Sequence, residues 1–348
     1  MRIESIRTIV LTDGLPNLLV EIVDEAGNVG TGECWWGMPT PDEPARGARP
    51  IAAAVEDLIA PRYLGQSADH IQRLWFETAD RYARYGDGIV MMALSGVDMA
   101  LWDLKARRLG CSLVDLLGGP AKMKVRAYAS LPPLRDFDAL RTETQRALDY
   151  GFHAIKLHEL DPEATAVVRE AGGDDLTIMV DVNGHFDVNE AIDVGNALDA
   201  YDILWFEEPV RPMRDVNAIA AVAERVPMRI AAGENEYSLA DFERLMSAGI
   251  IDYVQPEITK FGGITPALRI STLAELHHVA LCPHNFRLGP CLLASIHWGF
   301  TSPATEWFEL PWVPEGTHFG STAKLPAVVD GFVDVPDCTG IGYAPHGT

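Results

Sequence analysis

Between Lys156 and Glu309, short apolar runs recur along the chain, and each ends on a charged or ionisable residue. In order they are AIKLH (Lys156, His158), TIMVDVN (Asp181, Asn183), ILWFEEP (Glu207, Glu208), RIAAGEN (Glu234, Asn235), YVQPEITK (Glu257, Lys260), ALCPHN (His284) and EWFE (Glu309). The intervals from Lys156 onward are 25, 26, 27, 23, 27 and 25 residues. An interval of that size holds one strand, one helix and two short loops. Between the runs lie segments such as VNEAIDVGNALDAY and LADFERLMSAG, whose apolar residues recur at three and four positions, the helical period. Buried strands alternating with amphipathic helices predict a parallel sheet. An open sheet would spread the charged ends along an edge. A closed barrel carries its chemistry at the C-terminal ends of its strands and gathers them at one mouth, so their convergence favours the barrel.

Outside this stretch the pattern changes. Residues 1–34 alternate as a β-meander, with the DEAGN turn before its last strand. WWGMPTPDEP then follows, too irregular for an element. It is either a packed surface loop or a lid over a pocket. Residues 47–118 read as helices. The longest, IVMMALSGVDMALWDLKARRLG, is apolar nearly all round at its start and stops at Gly110. KVRAYA (124–129) reads as the first barrel strand, and after Glu309 the period ends in Pro- and Gly-rich segments. The division expected is an N-terminal α+β domain (1–120), a barrel (121–320) and a C-terminal segment (321–348) that packs back on the first domain.

Composition narrows the function. The 348 residues suit a barrel plus a smaller partner, and 48% apolar content supports a sizeable core. A net charge of −22 argues against nucleic acid, whose binding rests on Lys and Arg at phosphates. It leaves room for an anionic substrate, because a divalent cation reverses the sign inside a pocket. The five cysteines (Cys34, Cys111, Cys282, Cys291 and Cys338) show no CxxC spacing, which speaks against a zinc cluster and for a reducing compartment. The N-terminus reads as a charged strand and no apolar run reaches 18 residues, so a cytoplasmic protein without a membrane span is expected.

The strand ends carry the candidate chemistry. Asp181, Glu207 and Glu234 stand on three successive strands. Three converging carboxylates repel one another, and a divalent cation relieves this, with Mg²⁺ the best fit to oxygen ligands and Mn²⁺ next. Glu208 and Asn235 follow directly and suit a role in orienting the ligands. Lys156 and His158, two apart on a strand, can both point into the barrel. His284 lies on the far side, with Glu257 one repeat earlier to hold its second ring nitrogen. A metal flanked by bases on two faces suits removal of a proton α to a carboxylate.

This ordered set resembles the enolase superfamily, mandelate racemase subgroup. The matching pieces are ALSGVDMALWDLKARRLG…LLGG, DVN, FEEP, GEN, KFGGIT, PHN and WFE, and they span nearly the whole chain. The resemblance implies a modified (β/α)7β barrel, a (β/α)8-type TIM-like fold, with a capping domain built from both chain ends. It implies Mg²⁺ on Asp181, Glu207 and Glu234, an enediolate intermediate, and acid–base roles for Lys156 and His158 at a Lys-x-Lys position. His284 and Glu257 match a His–Asp dyad. Glu309 matches an acid that donates a hydrogen bond to the substrate carboxylate, which requires it to be protonated. WWGMPTP matches the specificity loop and favours the lid, with Trp35 at its start. Two departures stand out. His158 replaces a lysine base and either works as a base or only contacts substrate, and Glu257 replaces an aspartate. Trp35, Asn183, His185 and Arg287 are candidate substrate contacts, although His185 reads equally well as a solvated loop residue.

The implied reaction is dehydration of an acid sugar to a 2-keto-3-deoxy acid. The alternative is a racemase, epimerase or cycloisomerase on a related hydroxy acid or lactone, and a non-catalytic metal-binding protein is a remote third. The implied partners are a small carboxylate substrate and other copies of the chain, as a dimer or octamer, with no nucleic acid and no membrane. No GxSxG motif supports a hydrolase.

Overall fold

The computed structural model describes residues 1–12, 16–35, 44–315 and 324–344. All of the proposed lid except Trp35 and Pro44 lies outside the described residues. Strands β1 (Ile3–Leu11), β2 (Asn17–Asp24) and β3 (Val29–Cys34) form an antiparallel sheet in chain order. Helix Ile89–Leu109 lies directly on β3, and the glycines of VGTGEC explain how. A Cβ on Gly32 would sit 2.1 Å from the Gly96 carbonyl oxygen, and one on Gly30 equally close to that of Ala100. The helix is buried on almost every face, as its apolar start predicts, and ends where Gly110 turns left-handed at φ 66°.

The remaining strands are β4 (Lys124–Ser130), β5 (Ala154–Leu157), β6 (Thr177–Asp181), β7 (Trp205–Glu207), β8 (Arg229–Ala232), β9 (Tyr253–Val254), β10 (Ala280–Leu281), β11 (Trp307–Pro311) and β12 (Phe332–Asp334). β4 to β10 pair parallel in sequence order, and β11 returns to pair parallel with β4. Leu281 closes the ring, donating its N–H to Ala304 O and accepting from Glu306 N. Seven longer helices connect these eight strands, and among the described residues none follows β11. Instead β12 pairs antiparallel with the start of β4, and Ile341 N donates to Asp103 on the long helix. The tail thus meets both the barrel and the N-terminal domain. No helix of the described residues is long and apolar enough to cross a membrane.

Two separate cores explain why each apolar run ends in a charge. Alternate strand residues face opposite ways. Ile155, Leu157, Ile178, Val180, Phe206, Ile230, Val254, Leu281 and Phe308 pack outward against the helices. Tyr128, Ala154, Met179, Trp205, Ala231, Tyr253, Cys282 and Trp307 face inward and plug the barrel. One step further along the inward column stand Lys156, Asp181, Glu207, His284 and Glu309. The plug closes the barrel beneath them, so their charged ends gather at its mouth.

Candidate active site

Asp181, Glu207 and Glu234 are all buried, and each offers an oxygen within 4.8 Å of the others'. Asp181 is held from its own loop. Asn183, at φ 44°, donates its backbone N–H to Oδ1 at 2.8 Å and its amide to Oδ2 at 3.0 Å. Glu207 accepts from Lys156 Nζ at 2.7 Å on Oε1 and from the Trp205 indole at 2.9 Å on Oε2. Glu234 Oε2 lies 2.8 Å from His284 Nε2. Asn235 donates to Glu234 at 3.1 Å and to Glu208 at 2.8 Å.

The electrostatics show what this set lacks. Burial and the neighbouring Asp181 push the Glu207 carboxyl up to about 8, although Lys156 opposes them. Burial and Glu234 push Glu208 well above the carboxylate range. Burial would also raise Glu234, but His284 and Lys260 outweigh it and hold it well below. The carboxylates therefore outnumber the positive charge available to keep them all ionised. An oxygen-only, buried donor set short of positive charge fits a hard divalent cation. These three residues can hold one.

Two groups flank the triad. On one side Lys156, fully buried, also lies 3.5 Å from Asp181 and 2.9 Å from Glu309 Oε1. Burial alone would strip its proton, but Glu207 and Glu309 outweigh that and keep it an ammonium. His158 Nε2 lies 3.2 Å from Asp181 and Nδ1 lies 2.5 Å from Leu131 O. Asp181 raises the imidazole against the desolvation that lowers it. On the other side His284 Nδ1 lies 2.8 Å from Glu257 Oε2. Thr259 donates to the other oxygen of Glu257 through its N–H at 3.0 Å and its hydroxyl at 2.6 Å. The methylene that distinguishes Glu257 from an aspartate is thus accommodated. Burial lowers His284, but Glu234 and Glu309 raise it further, well above the usual imidazole range.

Glu309 departs from expectation in this arrangement. Burial favours the protonated acid, but Lys156 and His284 hold it below the carboxylate range. Its Oε1 meets Lys156 too obliquely for an aligned hydrogen bond. Its Oε2 accepts from Asn285 N at 3.0 Å. An ionised Glu309 accepts hydrogen bonds and donates none, so a donor role would need a proton acquired when substrate displaces Lys156.

The candidate substrate contacts do not all reach the mouth. The Asn183 amide is turned onto Asp181. His185 is exposed on the loop after β6, its ring edge-on to Phe186 at 5.2 Å. Arg287 is buried at the seam with the N-terminal domain, donating to Pro16 O, with its guanidinium 4.7 Å from the Phe286 ring. Burial lowers it to about 10 against the pull of Glu33. Trp35 packs on Phe286 at 5.1 Å and carries Lys260 Nζ 4.0 Å above its ring. Lys260 is the group to which sequence reasoning gave no role. Its Nζ donates to Asn235 Oδ1 at 2.9 Å and lies 3.5 Å from Glu234. Its place at a strand end, three residues after Glu257, was the available signal.

Comparison with known proteins agrees with this geometry. Residues 139–347 match the "Enolase C-terminal domain-like" family model, and residues 11–118 match that of the "Mandelate racemase / muconate lactonizing enzyme, N-terminal domain". The chain belongs to the mandelate racemase/muconate lactonizing enzyme family of the enolase superfamily. It is 35% identical to a D-galactarolactone cycloisomerase of Agrobacterium fabrum, over 82% of this chain and 75% of that one. It is 32% identical to a D-galactonate dehydratase of Pectobacterium atrosepticum, over 88% and 81%. A mandelate racemase/muconate lactonizing protein of Paracoccus denitrificans, solved with magnesium, superposes with a TM-score of 0.86 at 29% identity, covering 98% of this chain and 94% of that one.

Proposed function

We propose that this chain is a Mg²⁺-dependent dehydratase that converts an acid sugar to a 2-keto-3-deoxy acid. The observation that carries the reading is the placement of one ionisable pair at each end of the carboxylate row, Lys156 and His158 beside Asp181, and His284 with Glu257 beside Glu234. Asp181, Glu207 and Glu234 would hold the ion. An ion held there would supply Lewis-acid stabilisation of the charge that develops on the substrate's carboxylate as the α-proton leaves. His158 is the acceptor of that proton on its side, with Lys156 holding the substrate carboxylate. His284 delivers a proton to the 3-hydroxyl, so that the C–O bond breaks and water departs, and the remaining enol tautomerises to the keto acid. Glu257, itself held by Thr259, holds His284 Nδ1 and so keeps Nε2 aimed at the mouth.

The cycloisomerase relative favours a second reading in which the same proton is removed and then either returned at that carbon, in a racemase or epimerase, or followed by breaking of a lactone ring C–O bond, in a cycloisomerase. Assembly as a dimer or octamer in the cytoplasm belongs to the same reading, and light scattering measures the assembly. The test of function is incubation of the Mg²⁺-loaded protein with a panel of aldonic and aldaric acids and their lactones. Loss of water from an open-chain acid to give a 2-keto acid, read by mass spectrometry and with semicarbazide, supports the dehydratase. Conversion of an acid or lactone to an isomer without loss of water selects the second reading.

A further inference from the structure

Two tryptophans plug the barrel two residues below a mouth carboxylate, and they behave differently. Trp307 lies on β11 below Glu309, and its buried indole nitrogen meets no acceptor among the described residues. Trp205 lies on β7 below Glu207, fully buried, and its indole N–H donates to Glu207 Oε2 at 2.9 Å. Filling the barrel requires only the ring, as Trp307 shows. The hydrogen bond of Trp205 is therefore an additional feature.

We infer that Trp205 is a positioning residue for the metal site, which holds the Glu207 carboxylate in the orientation that binds the ion. The inference rests on the metal-binding reading of the triad. Asp181 has its own loop to orient it, through Asn183, and Glu234 has the neighbouring Asn235. Glu207 has two donors, Lys156 and Trp205. Lys156 also reaches toward Asp181 and Glu309, and it is the group expected to turn to the substrate. Trp205 cannot turn. Its ring is fixed between Tyr128, at 5.4 Å between centroids, and Tyr253, at 4.7 Å. A neutral N–H on a rigid ring ties one carboxylate oxygen without competing in charge with a cation, and leaves Oε1 to Lys156 or the ion. Hydrogen-bond partners behind a metal ligand act in this way, and their loss typically costs about 10–100-fold in metal affinity or activity.

The experiment is calorimetric titration of MgCl2 into chelator-stripped protein, comparing the native chain with W205F and with W307F as control. Each substitution keeps an aromatic plug and removes one N–H. The expected result is Mg²⁺ binding about 10–100-fold weaker in W205F and unchanged in W307F, with similar melting temperatures for the two variants in chelator. Equal affinity in the two variants overturns the inference and leaves the metal reading intact. Absence of Mg²⁺ binding by the native chain removes the metal reading and this inference with it. If W205F does not fold, the indole N–H signals of the ¹⁵N-tryptophan-labelled native chain decide. A hydrogen-bonded, slowly exchanging indole signal that moves along the Mg²⁺ binding curve supports the role. If none of the eight tryptophans gives a signal that moves, the role is refuted.

Discussion

Two groups of buried carboxylates in this protein have different partners, and the difference between them separates structural acids from reactive ones. At the seam of the N-terminal domain, Asp98, Asp103 and Glu33 accept largely from backbone N–H groups, which cannot leave. Asp98 takes Thr265 N at 2.8 Å and Thr265 Oγ1 at 2.6 Å, at the start of helix Ile264–His277. Asp103 takes Thr31 N at 2.9 Å, Ile341 N at 2.8 Å and Arg107 Nε at 2.7 Å. Glu33 takes Cys291 N at 3.0 Å. At the mouth, the partners of Glu207, Glu234 and Glu309 are mainly side chains that can turn or exchange protons: Lys156, His284 and Lys260. Acids of the first kind join domains; those of the second kind remain available to a cation and a substrate.

The largest effect is expected at the mouth. H284N should lower kcat by about 10²–10⁴ in steady-state kinetics while the melting temperature stays near the native value. D103A should do the reverse. It strands two backbone N–H groups and an arginine, so it should cost about 3–5 kcal/mol in urea unfolding yet leave kcat per folded molecule unchanged. E207Q sharpens the contrast, because it removes one of several repelling acids. It should abolish Mg²⁺ binding without lowering the melting temperature in chelator. For the native chain, Mg²⁺ at one hundred times its dissociation constant should add about 2.7 kcal/mol of stability, read as a rise in melting temperature that EDTA reverses.

The smallest effect concerns pH. Burial pushes Asp98 up to about 7, despite the donors from Thr265 and Ile264. Its folded value thus lies above its unfolded value, so the folded chain retains a proton that the unfolded chain has already released. The stabilisation from this group is complete below the unfolded value and is lost as pH rises through about 7. The melting-temperature difference between the native chain and D98N should therefore shrink from pH 5 to pH 8. A constant difference would mean that Asp98 does not titrate in this range.

The barrel was legible because alternation and interval are local properties. Five of the eight inward columns carry an ionisable residue just above the plug residue, Lys156, Asp181, Glu207, His284 and Glu309, and the sequence displays that directly. The capping helix was legible for the same reason, from its all-round apolar start to Gly110. What could not be read were orientations set by distant segments. Arg287 looked like a substrate contact on its strand-end loop, but Pro16, far back in the chain, claims its guanidinium. Trp35 looked like the edge of a lid, and Lys260 occupies its ring. The ionisation of Glu309 depends on Lys156, which stands on β5, two strands from β11 in the ring. Trp205 stood out from its apolar run in no way, because its N–H acquires meaning only once Glu207 is placed beside it.

The central claim is that the mouth removes a proton α to a carboxylate, and proton NMR in D2O tests it most directly, with Mg²⁺ and the panel of acid sugars. Loss of the C2 proton signal of one substrate, dependent on Mg²⁺ and absent in E207Q, is the result expected. Retention of that signal in every acid of the panel, by native protein shown to bind Mg²⁺, would contradict the claim.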